Sequence, residues 1–248
     1  MKILICRTNR ATEEVLQMQR DTFSPLVDAE VVVTALSKGP DFTVSEYDEG
    51  LIAPEMFKVA KEAEDQGYDA FIVGSCCDAN ARPIKELTSK MAIVEPGGAA
   101  MHVAAFLVDK FSVLTIKEPN MRAMIDKSAH RLGIASKLAS IHLVQPAADV
   151  AIRTDDEMRS RVSQEMAEAA KKACDDHGAQ AVVMYSLAYQ RLGIVDRVRK
   201  ILAQDGYEDM LVIDPAAVSL NFARMLVSCG LSQGKLSFPR PPEVRRVL

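Results

Sequence analysis

Ser75, Cys76, Cys77 and Asp78 stand together in the stretch YDAFIVGSCCDAN at residues 68–80. A hydroxyl, two thiols and a carboxyl in one short loop are the makings of a ligand-binding or thiol-dependent site. The apolar run at 70–73 has the length and branched content of a strand buried on both faces, and Gly74 lets the backbone turn out of it. The polar side chains therefore follow a strand's carboxyl end, the edge of an open parallel α/β sheet at which ligands bind. Asp78 or Asn80 is placed to cap the next helix, with Pro83 in its first turn. A thiol at such a helix start is biased toward thiolate. Free cysteines are also ordinary small packing residues; the position at a strand end argues for the cleft.

A second copy of the pattern lies further on. KKACDDHGAQAVVMYS at 171–186 repeats KEAEDQGYDAFIVGS at 61–75: a charged helix end, a glycine, a short polar step, an apolar run and a serine. Eight residues separate Gly67 from Ser75 and eight separate Gly178 from Ser186, so the two serines are equivalent positions. Both glycines read as left-handed C-caps closing amphipathic helices. Helix–glycine–strand is common in α/β chains, and the repeat alone leaves duplication open.

The elements that must position these groups alternate. Strands are expected at 2–6, 29–35, 70–73, 92–94, 111–116, 140–144, 181–185 and 210–213. Helices are expected at 12–22 with Thr12 as N-cap, 54–66, 81–89, 99–107, 120–132, 155–176 and 216–229, with Pro96-Gly97-Gly98 as a turn. The order implies parallel pairing and right-handed crossovers. A 248-residue chain at 48% hydrophobic residues is large enough for one big domain or two lobes. The tail FPRPPEVRRVL reads as an extended surface arm.

Composition excludes several classes of function. A net charge of −4 without a basic block, and no tryptophan, argue against nucleic acid as a partner. The opening MKILICRTNR has too short an apolar run for a signal peptide, and no stretch is long enough to span a bilayer, so a cytoplasmic protein is expected. Five cysteines without regular spacing fit reduced thiols rather than disulfides or a zinc site. No Walker A or GxGxxG pattern occurs, which disfavours nucleotide binding.

Over nearly its whole length the chain resembles the aspartate/glutamate racemase superfamily, most closely its hydantoin and allantoin racemase branch. The likeness is carried by ILICRTN at the start, SEYDEGLIAP at 45–54, YDAFIVGSCCD, AAMHVAAFLVDKFSVLT at 99–115 and GAQAVVMYSLA. It implies two flavodoxin-like α/β lobes related by a pseudo-twofold axis, residues 1–98 plus 217–248 and residues 99–216, with the ligand between them. It also implies a homo-oligomer acting on a small carboxylate or cyclic amide by proton transfer at a carbon beside a carbonyl, with no metal or other cofactor. One cysteine from each lobe does this work in the family, because a thiol with a pKa near ~8.5 serves as base and as acid near neutrality.

Here the chain departs from its relatives: aligning Asp78 and Glu86-Leu87 puts the first expected thiol at Ser75, and the second strand end puts the other at Ser186. An unactivated serine binds carboxylates well and is a poor carbon-acid base. A one-residue shift would make Cys76 the first-lobe thiol. A reaction needing one proton donor would also fit, as in arylmalonate decarboxylase, whose single cysteine lies where this chain has Ser186. A non-catalytic small-anion binding protein is the remaining alternative. Arg7, Asn9 and Arg10 occupy the family's first loop, and their guanidinium forks favour carboxylates or phosphates. Thr115 matches a carboxylate-binding threonine, Tyr47 is a candidate to reach the cleft, and Cys77 lines it. His102 reads as a helix histidine and Asp214 as a strand-end cap.

Overall fold

The computed structural model describes residues 1–145 and 155–242, which form two four-stranded parallel sheets. The first contains β1 (Lys2–Arg7), β2 (Glu30–Ala35), β3 (Ala70–Gly74) and β4 (Ala92–Val94) in the order β2-β1-β3-β4. The second contains β5 (Phe111–Ile116), β6 (Leu138–Gln145), β7 (Ala181–Met184) and β8 (Leu211–Ile213) in the order β6-β5-β7-β8. In both, the chain leaves its first strand in one direction and returns on the other side. This creates a switch point beside β1 and another beside β5, where neighbouring loops diverge and leave a crevice.

The helices are α1 (Glu13–Phe23), α2 (Glu46–Asp65), α3 (Ala81–Leu87), α4 (Pro96–Leu107), α5 (Met121–Arg131), α6 (Asp156–His177), α7 (Leu187–Arg191), α8 (Ile194–Gln204) and α9 (Pro215–Ser228). Thr12 caps α1 as expected, its Oγ1 accepting from the Val15 N–H at 3.4 Å. Gly67 and Gly178 take the left-handed conformation at the ends of α2 and α6. Asp214 caps α9, accepting from the Ala216 and Ala217 N–H groups. α4, whose sequence is apolar on almost every side, is wedged into one continuous core with residues of both sheets, Ile5 and Ile72 on one side and Val113 and Val183 on the other.

Three expectations are corrected. The helix expected from 54 starts at Glu46, because Ser45 Oγ accepts from the Asp48 N–H at 3.1 Å while Asp48 Oδ2 accepts from the Val44 N–H at 3.1 Å. That reciprocal cap outweighs the pull of Pro54 toward a first turn and leaves the proline inside the helix. Residues 96–98 are the first turn of α4 rather than a loop, since the Asp78 carboxylate, eighteen residues or more away, accepts from the Gly97 and Gly98 N–H groups at 2.9 and 2.8 Å. The segment between Ser186 and β8 holds two helices, α7 and α8, where none was expected. Of the tail read as an arm, residues 243–248 lie outside the described residues; Phe238 lies beneath the Arg82 and Lys85 cations.

Candidate active site

The switch points of the two sheets face one cavity of about 110 Å³. Its wall takes Arg7, Thr8 and Asn9 from the end of β1, Gly74 to Cys77 from the end of β3, Ile116 from β5, and Tyr185 and Ser186 from the end of β7. Ser75 and Ser186 thus lie in one interlobe cleft. Arg7 and Gly74 are register partners across β1 and β3, and a Cβ at Gly74 would come within 2.4 Å of the Cys6 carbonyl oxygen. Only glycine permits the close strand approach that brings Arg7 beside Ser75.

Each serine ties down its own loop. Ser75 Oγ accepts from the Cys77 N–H at 3.2 Å, and Ser186 Oγ caps α7 by accepting from the Ala188 N–H at 3.3 Å. Both hydroxyl hydrogens keep their capacity to donate to a ligand. Asp78, at φ +59°, turns the loop back and hooks it to α4 through its carboxylate.

The thiols do not behave as the helix-start argument requires. α3 begins only at Ala81, so neither Cys76 nor Cys77 sits at a helix N-terminus. Cys76 is 4% exposed within the interlobe core; burial, then the Asp78 charge, pushes its thiol well above the usual range, against a hydrogen bond from the Leu187 N–H. Cys77 Sγ lies 3.9 Å from Met121 Sδ, and burial followed by the Glu49 charge raises its pKa to about 12. Both are neutral thiols at pH 7, proton donors rather than ready bases.

Two arginines set the electrostatics. Arg7 Nη1 donates to Gln19 Oε1 at 2.9 Å, and Arg191 at the end of α7 approaches Met18 Sδ through its own Nη1 at 3.5 Å. Burial first, then the Arg191 charge, lowers Arg7 to about 10, which still leaves it fully charged at neutrality. Among the described residues the cavity wall contains no Asp, Glu or His. No group of three His, Cys, Asp or Glu among them is arranged to hold a metal ion.

The remaining expected residues are placed as follows. Asn9 lines the cavity and its Nδ2 donates to the Asp41 carbonyl at 2.8 Å. Arg10 pairs with Asp41 on the exposed surface at 2.8 Å, and Tyr47, 74% exposed on the first turn of α2, also lies outside the cavity wall. Thr115 is fully buried with its hydroxyl donating to the Tyr185 carbonyl at 3.3 Å, and Ile116 reaches the wall instead. Sequence reasoning missed Gln19 and Arg191. Gln19 is legible in hindsight as a polar side chain on the buried stripe of α1, four residues before Phe23; Arg191 depended on a helix that was not foreseen.

The sequence pattern of the Asp/Glu/Hydantoin racemase family matches residues 3–186. A hydantoin racemase of Pseudomonas sp. (strain NS671) is 24% identical over 216 residues, 87% of this chain and 81% of the relative. Among solved structures, the allantoin racemase of Pseudomonas fluorescens superposes with a TM-score of 0.84 at 19% identity, covering 100% of both chains. That of Klebsiella pneumoniae does so with a TM-score of 0.83 at 17% identity, covering 99% of this chain and 96% of its own. These likenesses give the two-lobe α/β fold.

Proposed function

We propose, for a chain that belongs to the Asp/Glu/hydantoin racemase family, that the interlobe cleft binds a small carboxylate or cyclic amide and transfers a proton at the carbon next to its carbonyl, without metal or organic cofactor. The observation that carries this reading is the convergence of Ser75, Cys76 and Ser186 on one cavity that also holds Arg7 and Arg191. Removing a proton from such a carbon moves charge onto the carbonyl oxygen, and guanidinium and hydroxyl donors fixed in a largely buried wall stabilise that charge without reorganising. Cys76 is the acid–base group in this reading: once its thiol has given a proton to solvent, the thiolate takes the proton from carbon and the re-formed thiol returns it. Cys76 packs in the same core cluster as Tyr185 and Leu187, the residues on either side of Ser186, so a first-lobe thiol lies against the second lobe's strand end.

The raised thiols favour a second reading, a lyase or decarboxylase. There a carbon–carbon bond to a carboxylate breaks, carbon dioxide leaves, and the electron pair on carbon takes the proton of the neutral Cys76 thiol. The thiolate then recovers a proton from water. Cytoplasmic location is supported by five unpaired cysteines, as expected in a reducing compartment. We also propose a homo-oligomer, for which exposed Phe106 and Leu107 on α4 offer apolar surface.

The test is solvent-exchange NMR in deuterium oxide with small α-substituted dicarboxylates and substituted hydantoins. At least one compound should exchange or lose a carboxylate. Cys76→Ala should slow that turnover by ~10²-fold or more, whereas Cys77→Ala should lose much less. Silence across the panel would refute the proton-transfer reading, and full activity in Cys76→Ala would remove the thiol from it.

A further inference from the structure

A second set of side chains able to do chemistry lies on β5 and β6, outside the wall of the interlobe cleft. Ser112 and Ser140 are register partners across the two strands, and their hydroxyl oxygens are 2.7 Å apart. Ser140 Oγ is in turn 2.8 Å from Nε2 of His142, two residues along the same strand. Ser112 is fully buried and its hydroxyl has no other partner among the described residues, so its proton goes to the Ser140 oxygen. The Ser140 proton is then left for His142 Nε2. Burial first, then the His177, Arg122 and Lys172 charges, lower the His142 pKa below the ordinary 6.5, with Asp176 opposing, so the imidazole is neutral at pH 7 and accepts. The His177 ring stands edge-on to it, 5.8 Å between centroids.

His142 lines an open cavity of about 500 Å³ bounded by α5, β6 and α6, a size suited to a small molecule. The wall acids Glu165 and Glu168 are paired with Arg161 and Lys171, which leaves Arg122 and Lys172 to set the charge the cavity presents. Arg122 is fixed at the strand edge, donating from Nη2 to the Ile141 carbonyl at 2.8 Å. We propose that Ser140 and His142 are a nucleophile–base pair that hydrolyses small esters whose acyl part carries a carboxylate. A serine hydroxyl donating to a neutral imidazole is the pairing that nucleophilic catalysis requires, and Ser140 is only half-buried, within reach of a ligand. In the step, Ser140 Oγ bonds to the carbonyl carbon while its proton passes to His142 Nε2. The carbon–oxygen bond to the leaving alcohol then breaks, and His142 returns the proton to that oxygen. Water, giving its proton to the same nitrogen, cleaves the acyl-serine and releases the acid. Arg122 and Lys172 receive the carboxylate of the acyl part.

The test is labelling of the full chain with a dialkyl fluorophosphonate, mapped by peptide mass spectrometry, beside release of p-nitrophenol from its acetate and hemisuccinate esters. The label should fall on Ser140 in the wild-type protein, a result that depends on no variant folding. His142→Gln should slow labelling by ~10²-fold or more. The rate should fall as His142 gains its proton, with a midpoint below 6.5. The hemisuccinate should be cleaved about tenfold faster than the acetate, the gain from one hydrogen bond between charged groups, and Lys172→Gln should shrink that preference.

A label confined to Ser75 or Ser186, or no labelled serine at all, would overturn the assignment, as would a wild-type rate in folded His142→Gln. Equal cleavage of the two esters would overturn the preference for an anionic acyl group. None of these readouts uses the interlobe cleft, so they bear on Ser140 whether or not proton transfer occurs there.

Discussion

One methyl group at Gly97 should disable the joint between α4 and the Cys76 loop. A Cβ at this position would lie 2.0 Å from the Cys76 carbonyl oxygen, and 2.7 and 2.8 Å from Tyr185 Oη and Cε2, where 3.4 Å is ordinary contact. The nearest of these atoms is backbone, so relief requires α4 and the Cys76 loop to part by about 1.4 Å. The Asp78 hydrogen bonds to Gly97 and Gly98, now 2.9 and 2.8 Å, span the same gap and would be lost with it.

Overpacking costs ~1–3 kcal/mol and each lost hydrogen bond ~1 kcal/mol, against ~1 kcal/mol regained because alanine is the better helix former. Gly97→Ala should therefore lose about 3 kcal/mol, a fall in Tm of ~6–12 °C for a chain of this size. Gly98→Ala is the control one residue away. Its Cβ would meet Asp78 Oδ2 at 3.3 Å and Glu95 Cβ at 3.5 Å, contacts that need only a few tenths of an ångström of give. It should stay within ~1 kcal/mol of the wild type. Urea and thermal unfolding of both variants decide the matter. A Gly97→Ala protein as stable as the wild type, or equal losses in the two, would refute the claim that this contact sets how closely α4 seats on the Cys76 loop.

Asp78→Ala strands two buried N–H groups and places alanine at φ +59°, so it should cost ~2–4 kcal/mol in urea unfolding, and Asp78→Asn, which keeps one acceptor, visibly less. Glu49 is raised from 4.5 to about 7 by burial and then by the Glu46 charge, with Lys127 and Arg131 opposing. A folded pKa above the unfolded one gives stability that is present below about pH 4.5 and lost as pH rises through 7. Glu49→Gln should thus gain stability relative to wild type above pH 7 and none near pH 4, by under ~1 kcal/mol because the group is partly solvated. Parallel melts across that range check the sign. Gln233 reaches the edge strand β4, accepting from the Ile93 N–H at 3.2 Å and donating to the Met91 carbonyl at 3.0 Å. Gln233→Ala should cost ~1–2 kcal/mol and raise amide hydrogen exchange at Ile93.

Local chemistry in the sequence was enough to specify the alternation of strands and helices, the left-handed caps at Gly67 and Gly178, the Thr12 and Asp214 caps, and the equivalence of Ser75 and Ser186. Each of these depends on residues within a few positions of one another, where period, cap and glycine carry the information. Ser75, Ser186, Arg7 and Asn9 were placed at the cleft because they follow strand ends, and strand ends in a parallel sheet share one edge. Tertiary structure alone decided the rest.

Whether a thiol is ionised depends on what surrounds it in space, and Cys76 and Cys77 are held neutral by burial and by acids from other segments, among them Asp214 and Glu49. The start of α4 depends on a carboxylate from another loop. The pairing of Arg7 with Gln19 spans a helix, and that of Arg7 with Arg191 spans both lobes. No local pattern encodes it, because a cavity's charge is the sum over residues that only the fold brings together.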